Sequence, residues 1–334
     1  MIPKKFIFAT ILLSGIIVIS CKEKESEKKA RTLVLAEVNP SDTISGRMDA
    51  EFARLVSEKS GGALQVNVIY DGALGNDEDV LSSIQKDGNV IQLARVSAFA
   101  LTNLGGKKSS LLTIPYTFHS KNHFWNFAKS SLAQEILDEP YKNGSGIKGL
   151  FFAEEGFRNF FGVEPILGVE DFAGKKLRIP NDPISLGLAE GLNANPMQIG
   201  FDELLSALSV GGAEIAEQPI ANYLAKSLNK IAPNMILDGH TLGVIEIVIS
   251  SKSWDSLSSK EQEILKEAGI EAGEFCRKIS QEAENEAKLK LEKEGVIFTE
   301  VLDKPPWRNA CEKIISEAAQ TDIELYNKIL ALEK

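Results

Sequence analysis

The sequence predicts an α/β protein of two lobes joined by one long helix, and three observations carry that expectation. Strand-like runs alternate with helical ones from Thr32, the alternation restarts near Gly149, and a helical pattern from about Ser259 to Glu294 outruns either half. Strands separated by helices of roughly 10 to 20 residues mark βαβ units in an open sheet. At 334 residues, 43% apolar and 25% charged, the chain has the size and composition of an ordinary globular protein with one large or two medium domains.

The first set reads TLVLAE, a helix to about Ser60, LQVNVIY, a helix after Gly75-Asn76 up to Asp87, and VIQLARVS. The second reads GLFFAEE, RNFFG, KKLRIP, a helix over 183–191, MQIG, the helix FDELLSALSVG, and AEIAEQ. The run GVIEIVIS over 243–250 is a buried strand for either lobe. Ser258 and Ser259 with Glu261 and Gln262 form an N-terminal capping signature. After it, Leu265, Ala268, Ala272, Phe275, Ile279, Ala283, Ala287 and Leu291 recur at threes and fours. Such a helix is a rod of roughly 50 Å, longer than one lobe is wide, so it crosses between them. A dimerising coiled coil is the alternative, against which Gly269 and Gly273 favour close packing on a domain. A last helix from about Trp307 to Leu332 carries Ile314, Ile315, Ala318, Ile323, Tyr326 and Ile329 on one apolar face, which is expected to pack back on the lobes. Residues 32–150 with about 244–283 are expected as the first lobe, 151–243 with about 295–334 as the second, and about 259–294 as the connecting helix.

The N-terminus has a different character. Lys4 and Lys5 precede an apolar run from Phe6 to Ile19, which is short for a bilayer span and has the layout of a secretory signal over residues 1–20. Val18-Ile19-Ser20-Cys21 resembles a bacterial lipobox, which makes Cys21 the lipidated N-terminus of the mature chain. An uncleaved signal anchor or another cleavage site are the alternatives. Residues 21–31 are charged and poor in apolar groups, so they read as a disordered tether between lipid and fold. The expected location is the periplasmic side of a bacterial membrane.

Without residues 1–20, 35 basic side chains face 47 acidic ones, a balance of −12. That excludes nucleic acid as the natural partner but not an anionic small molecule, because a pocket can be locally positive. Beyond Cys21 only Cys276 and Cys311 remain; they could pair, but two buried free thiols are the expectation. His119, His123 and His240 have no metal-ligand spacing, so neither metal nor cofactor is expected.

Three arginines are candidates for holding a carboxylate, because a guanidinium is planar, permanently charged and able to grip both oxygens. Arg178 lies on the KLRIP strand that Pro180 ends; a surface arginine reads equally well there on physics alone. Arg158 sits among Phe157, Phe160 and Phe161, and Arg95 interrupts a buried-looking strand.

From Thr32 to about Glu294 the chain resembles the solute-binding subunits of TRAP (tripartite ATP-independent periplasmic) transporters of the DctP type. The resemblance rests on GGALQVNVIYDGALGNDEDVLSSIQ, LARVSAFAL, LLTIPYTFHSKNHFWN, EEGFRNFFG, EDFAGKKLRIPN, FDELLSAL and SKSWDSLSSKEQEILKEA, which occur in family order. It implies a two-lobed, periplasmic-binding-protein-like fold with a hinge cleft, no catalysis, capture of a small organic acid, and delivery to a membrane permease. It also implies that Arg178 makes the main ion pair with the ligand carboxylate, that Arg158 is the second arginine, and that Arg95 matches a position of further polar groups. Glu214-Ile215-Ala216-Glu217-Gln218-Pro219 departs from the family pattern: Gln218 stands for an asparagine that contacts ligand, and Ala216 for a polar residue before Glu217. The identity of the acid therefore does not transfer. Phe157 and Tyr223 could line the pocket, though core packing is the commoner fate of such side chains.

Two rivals stay open. An enzyme could use Glu217 with Glu155 or Glu246 as acid and base, but such pairs arise by chance among 47 carboxylates, and no nucleophile elbow, Walker A or Rossmann glycine pattern is present. A lipid-anchored interaction protein could keep the fold and lose the ligand; a site for a more hydrophobic carboxylate is its near variant.

Overall fold

The computed structural model describes Met1, residues 30–86 and residues 88–333. The expected signal from residue 2 on, Cys21 and the tether through residue 29 lie outside them. Arg31, expected in the tether, instead opens the first strand: it pairs with Leu64, and its Nη1 donates to the Ser256 carbonyl at 2.9 Å.

The strands are β1 (Arg31–Ala36), β2 (Leu64–Ile69), β3 (Leu93–Ser97), β4 (Ile147–Gly162), β5 (Lys176–Ile179), β6 (Asn195–Gln198), β7 (Ile215–Pro219), β8 (Asn234–Ser250) and β9 (Ile297–Glu300). Among the described residues they form one sheet in the order β2-β1-β3-β8-β4-β7-β5-β6, with β9 beside β8. Each flank is parallel, as the alternating strands and helices require: β1 pairs with β2 and β3, and β5 with β6 and β7. The centre is antiparallel, where β8 meets β3 and β4, and β4 meets β7.

Each half buries both faces of its part of the sheet. In the first lobe, Leu33, Leu35, Phe52 and Ile247 share one core, and Ala36, Leu81, Val96 and Val248 another. In the second, Phe160, Leu177 and Ile179 pack on one face, and Phe161, Ala216 and Tyr223 on the other.

The central pair is longer than the hydrophobic pattern shows. GLFFAEE and RNFFG are one 16-residue strand, β4, and GVIEIVIS is the second half of the 17-residue β8. Gly156, at φ +97°, gives the pattern its break; the ladder with β8 shifts register there, between Glu154 and Phe157, as it also does between Gly149 and Phe151 and between Arg158 and Phe160, and it resumes after each. Polar Asp238 and His240 disguise the first half of β8, although both are buried.

The long helix spans Ser259–Lys293, with Ser258 and Glu261 closing a reciprocal capping box. Leu265, Ala268, Ala272 and Cys276 join the first lobe's core, and Leu291 joins the second's, so the helix crosses the boundary. Its glycines permit close approach: a Cβ on Gly269 would stand 2.4 Å from the Phe151 ring. Cys276 and Cys311 are both buried free thiols.

Residues 305–333 differ from the single helix expected. They form three α-helices, Pro305–Ala310, Glu312–Ala319 and Ile323–Leu330, and a closing 3-10 turn over Ala331–Glu333; Asp322 starts the last α-helix by accepting from Leu325 N at 3.0 Å. The stretch is also divided between the lobes. Trp307 packs in the second lobe's core, whereas Leu325, Tyr326 and Ile329 pack in the first's. There His123 Nε2 meets the Ile329 carbonyl at 2.9 Å.

One core group has a measurable consequence for stability. Glu246 on β8 is fully buried, and burial, only partly offset by the neighbouring Ser109 hydroxyl, pushes its carboxyl from an ordinary 4.5 up to about 8. A carboxyl raised in the fold contributes most when protonated, so its contribution is lost as pH rises from about 4.5 through about 8. Against Glu246→Gln, the wild type is expected to lose up to ~1.4 kcal/mol per pH unit across that window. Urea unfolding at several pH values checks this, and parallel pH profiles for the two proteins contradict it.

Candidate ligand-binding cleft

A cavity of about 660 Å³ opens between the lobes, and Arg95, Arg158, Arg178 and Gln218 all line it. Strand alternation explains how Arg178 comes to be there. Its neighbours on β5, Leu177 and Ile179, face the second lobe's core, so the side chain between them faces the cleft. It is 3% exposed. Its Nε donates to the Ile199 carbonyl at 2.8 Å, while Nη1 has no hydrogen-bond partner and stands 3.8 Å from Glu217 Oε1. Burial, with Arg158 nearby and only partly offset by Glu217, brings this guanidinium down to about 10.

The other two arginines are engaged with carboxylates. Arg158 grips Glu217 with two donors, Nε to Oε2 and Nη2 to Oε1 at 2.8 Å, and lies 5.3 Å over the Phe99 ring. Arg95 donates to Glu155 through Nη2, and its Nε is 3.7 Å from Glu37 Oε2.

Glu217 does not line the main cavity. It is buried behind Arg158 and borders a small void with His240, whose Nε2 is 3.9 Å from Glu217 Oε2. His240 stacks on Phe160 and meets Asp238 Oδ2 through Nδ1 at 2.6 Å. Of the proposed acid/base partners, Glu155 is at the cavity and bound to Arg95, whereas Glu246 lies in the first lobe's core strand.

Phe157 and Tyr223 take the packing role: neither lines the cavity, and Tyr223 is fully buried with its hydroxyl donating to the Ala232 carbonyl at 2.7 Å. Sequence reasoning missed much of the opposite wall, including Asn39, Asp77, Ser97 and Phe99, and also Asn222 and Lys226. Their signal was weak, because polar residues such as Asn39, Asp77, Ser97 and Lys226 are ordinary in turns and at helix ends, and Phe99 reads as a core residue. The lobes touch at the cleft edge, where Asn181 Nδ2 donates to Glu78 Oε1 at 2.9 Å and the Asn181 carbonyl accepts from Asn103 at 3.1 Å.

A continuous mixed sheet in two lobes, with a polar cleft between them, defines a two-lobed solute-binding protein. The sequence profile of bacterial extracellular solute-binding protein family 7, DctP, matches residues 35–322, and the chain belongs to this family of TRAP-type solute-binding proteins. A solute-binding protein of a Sulfitobacter species is 27% identical over 233 residues, 69% of this chain and 68% of that protein. The structure of a TRAP solute-binding protein from a Bradyrhizobium species in complex with galacturonate superposes with a TM-score of 0.86 at 25% identity, covering 90% of this chain and all (100%) of that one. One from Shewanella oneidensis with bound succinate has a TM-score of 0.85 at 20% identity, covering 91% and 100%.

Proposed function

We propose that this chain is an extracytoplasmic, non-enzymatic lipoprotein that captures a small organic acid in the interlobe cleft and delivers it to a TRAP permease. The observation that carries this reading is Arg178: buried on the cleft wall, depressed by burial, and with a donor that no acceptor meets. A carboxylate there restores the charge partner that desolvation has removed, and contacts made by the closed form alone hold the lobes together. Gln218 and Arg158 complete the second lobe's wall, Arg95 the first's, and Glu217 holds Arg158 in place. Acid/base catalysis is disfavoured because Glu155 and Glu217 are each committed to a guanidinium. A greasy ligand is disfavoured by a wall on which Asn39, Asp77, Ser97, Gln218 and Asn222 stand beside the arginines.

Titration calorimetry of the purified protein against a panel of organic acids tests the capture, and a panel without any heat of binding counts against it. Lipidation has its own test. The attachment proposed is an anchor through Cys21, which rests on the lipobox-like Val18-Ile19-Ser20-Cys21. Cys21→Ser is expected to move the protein from the membrane fraction to the soluble one; a wild type already soluble after export contradicts the anchor.

A further inference from the structure

The three guanidinium groups on the cleft wall are not equally free. Glu217 occupies two donors of Arg158, and Arg95 is held between Glu155 and Glu37. Arg178 alone of the three has no carboxylate within hydrogen-bond distance. The cleft therefore offers one anchor for one carboxylate.

The first lobe's wall presents the opposite chemistry. Asp77 opens the helix Asp77–Lys86, and its Oδ2 accepts from Ser97 N at 3.2 Å and from Ser97 Oγ at 3.4 Å, while its Oδ1 has no partner. Asp71, Glu78 and Asp79 line the cavity around it. Burial raises Asp77 to about 6, which leaves it charged for most of the time at neutral pH. A second carboxylate on the ligand would meet this acidic wall. Hydroxyl or ammonium hydrogens would find acceptors on it. The remaining cation among the lining residues, Lys226, lies 5.1 Å over the Phe201 ring on the second lobe's side.

We infer that the site selects a monocarboxylate whose far end presents hydrogen-bond donors, hydroxyl or ammonium, and discriminates against dicarboxylates. The inference rests on the reading of Arg178 as the carboxylate anchor and narrows it, because like charges set face to face suppress a wrong ligand.

Calorimetry with D-glucuronate, γ-aminobutyrate and succinate is the test, each probe measured on wild type and on Asp77→Asn. At least one donor-ended monocarboxylate is expected to bind ~100-fold or more tightly than succinate. A preference for glucuronate identifies hydroxyls as the donors, and one for γ-aminobutyrate an ammonium. Asp77→Asn is expected to improve succinate binding by about tenfold or more and so narrow the gap. Succinate binding as tightly as both others overturns the inference but upholds capture at Arg178. Loss of that succinate binding in Lys226→Met would then put the second carboxylate on Lys226. If none of the three binds, mass spectrometry of the acid released from protein purified from its own host decides: a hydroxy or amino monocarboxylate supports the inference, and a dicarboxylate overturns it. The absence of any released acid overturns the capture reading itself.

Discussion

Replacing Arg178 with alanine is expected to lower affinity for the acid by about 10²-fold or more while the protein stays folded. A desolvated, charge-assisted contact contributes ~1.5–3 kcal/mol, and a carboxylate left buried without it costs more. Arg178→Lys keeps the charge but loses the planar fork, so an intermediate affinity is expected. The ligand-free protein should respond in the opposite direction. Because burial brings Arg178 down to about 10, its charge destabilises the empty fold at neutral pH, by on the order of 3 kcal/mol. Arg178→Met is therefore expected to unfold at higher urea than wild type when no acid is present. Calorimetry and urea titration on the same variants read both effects. Wild-type affinity in Arg178→Ala would remove the anchor from the account.

Glu217→Ala is expected to cost ~3–5 kcal/mol of stability, the usual effect of removing one partner from a buried ion pair. Arg158 is 5% exposed, and its nearest remaining carboxylate, Glu155, is 3.9 Å away. The change leaves a guanidinium desolvated between Phe99 and the second lobe's sheet. Replacing both partners with apolar residues, as Arg158→Met with Glu217→Leu, should recover much of that loss, because no charge is then stranded. Urea unfolding of the two single variants and the double one checks the cycle. A Glu217→Ala protein within about 1 kcal/mol of wild type would show that the pair is not closed to water.

Much of this architecture was legible in the residues because it follows from periodicity. The alternating strands and helices, the parallel flanks and the long helix with its capping box all leave a regular pattern of apolar side chains. What escaped was structure built where the pattern lapses. Gly156 and Gly243 interrupt strands that continue past them, and Asp238 and His240 give β8 the polarity of a loop although they are buried together. The final stretch broke into three helices at points that composition marks weakly. In the cleft, Arg95, Arg158, Arg178 and Gln218 could be named beforehand because resemblance to a family supplied their roles, and the structure places all four on one cavity. The acidic wall around Asp77 could not be, since aspartate and glutamate in the first turn of a helix are already explained by the helix dipole. Nor could the sequence reveal that Glu217 is committed to Arg158, because 59 positions separate them and only pairing of β4 with β7 brings them together.

β4 and β8 pass from one half of the molecule into the other without a loose connection between them. One of the three irregularities in their ladder lies beside Gly156 and Gly243, where the backbones are so close that a Cβ on Gly243 would stand 3.0 Å from the Gly156 carbonyl. The long helix covers the same point, since a Cβ on Gly156 would collide with Glu284. Such a joint behaves as a crease in a stiff strip rather than as a swivel on a cord. Two hydrogen-bonded strands crossing side by side resist twist more than a single linker does, so a guest meets the two faces within a narrow range of alignments.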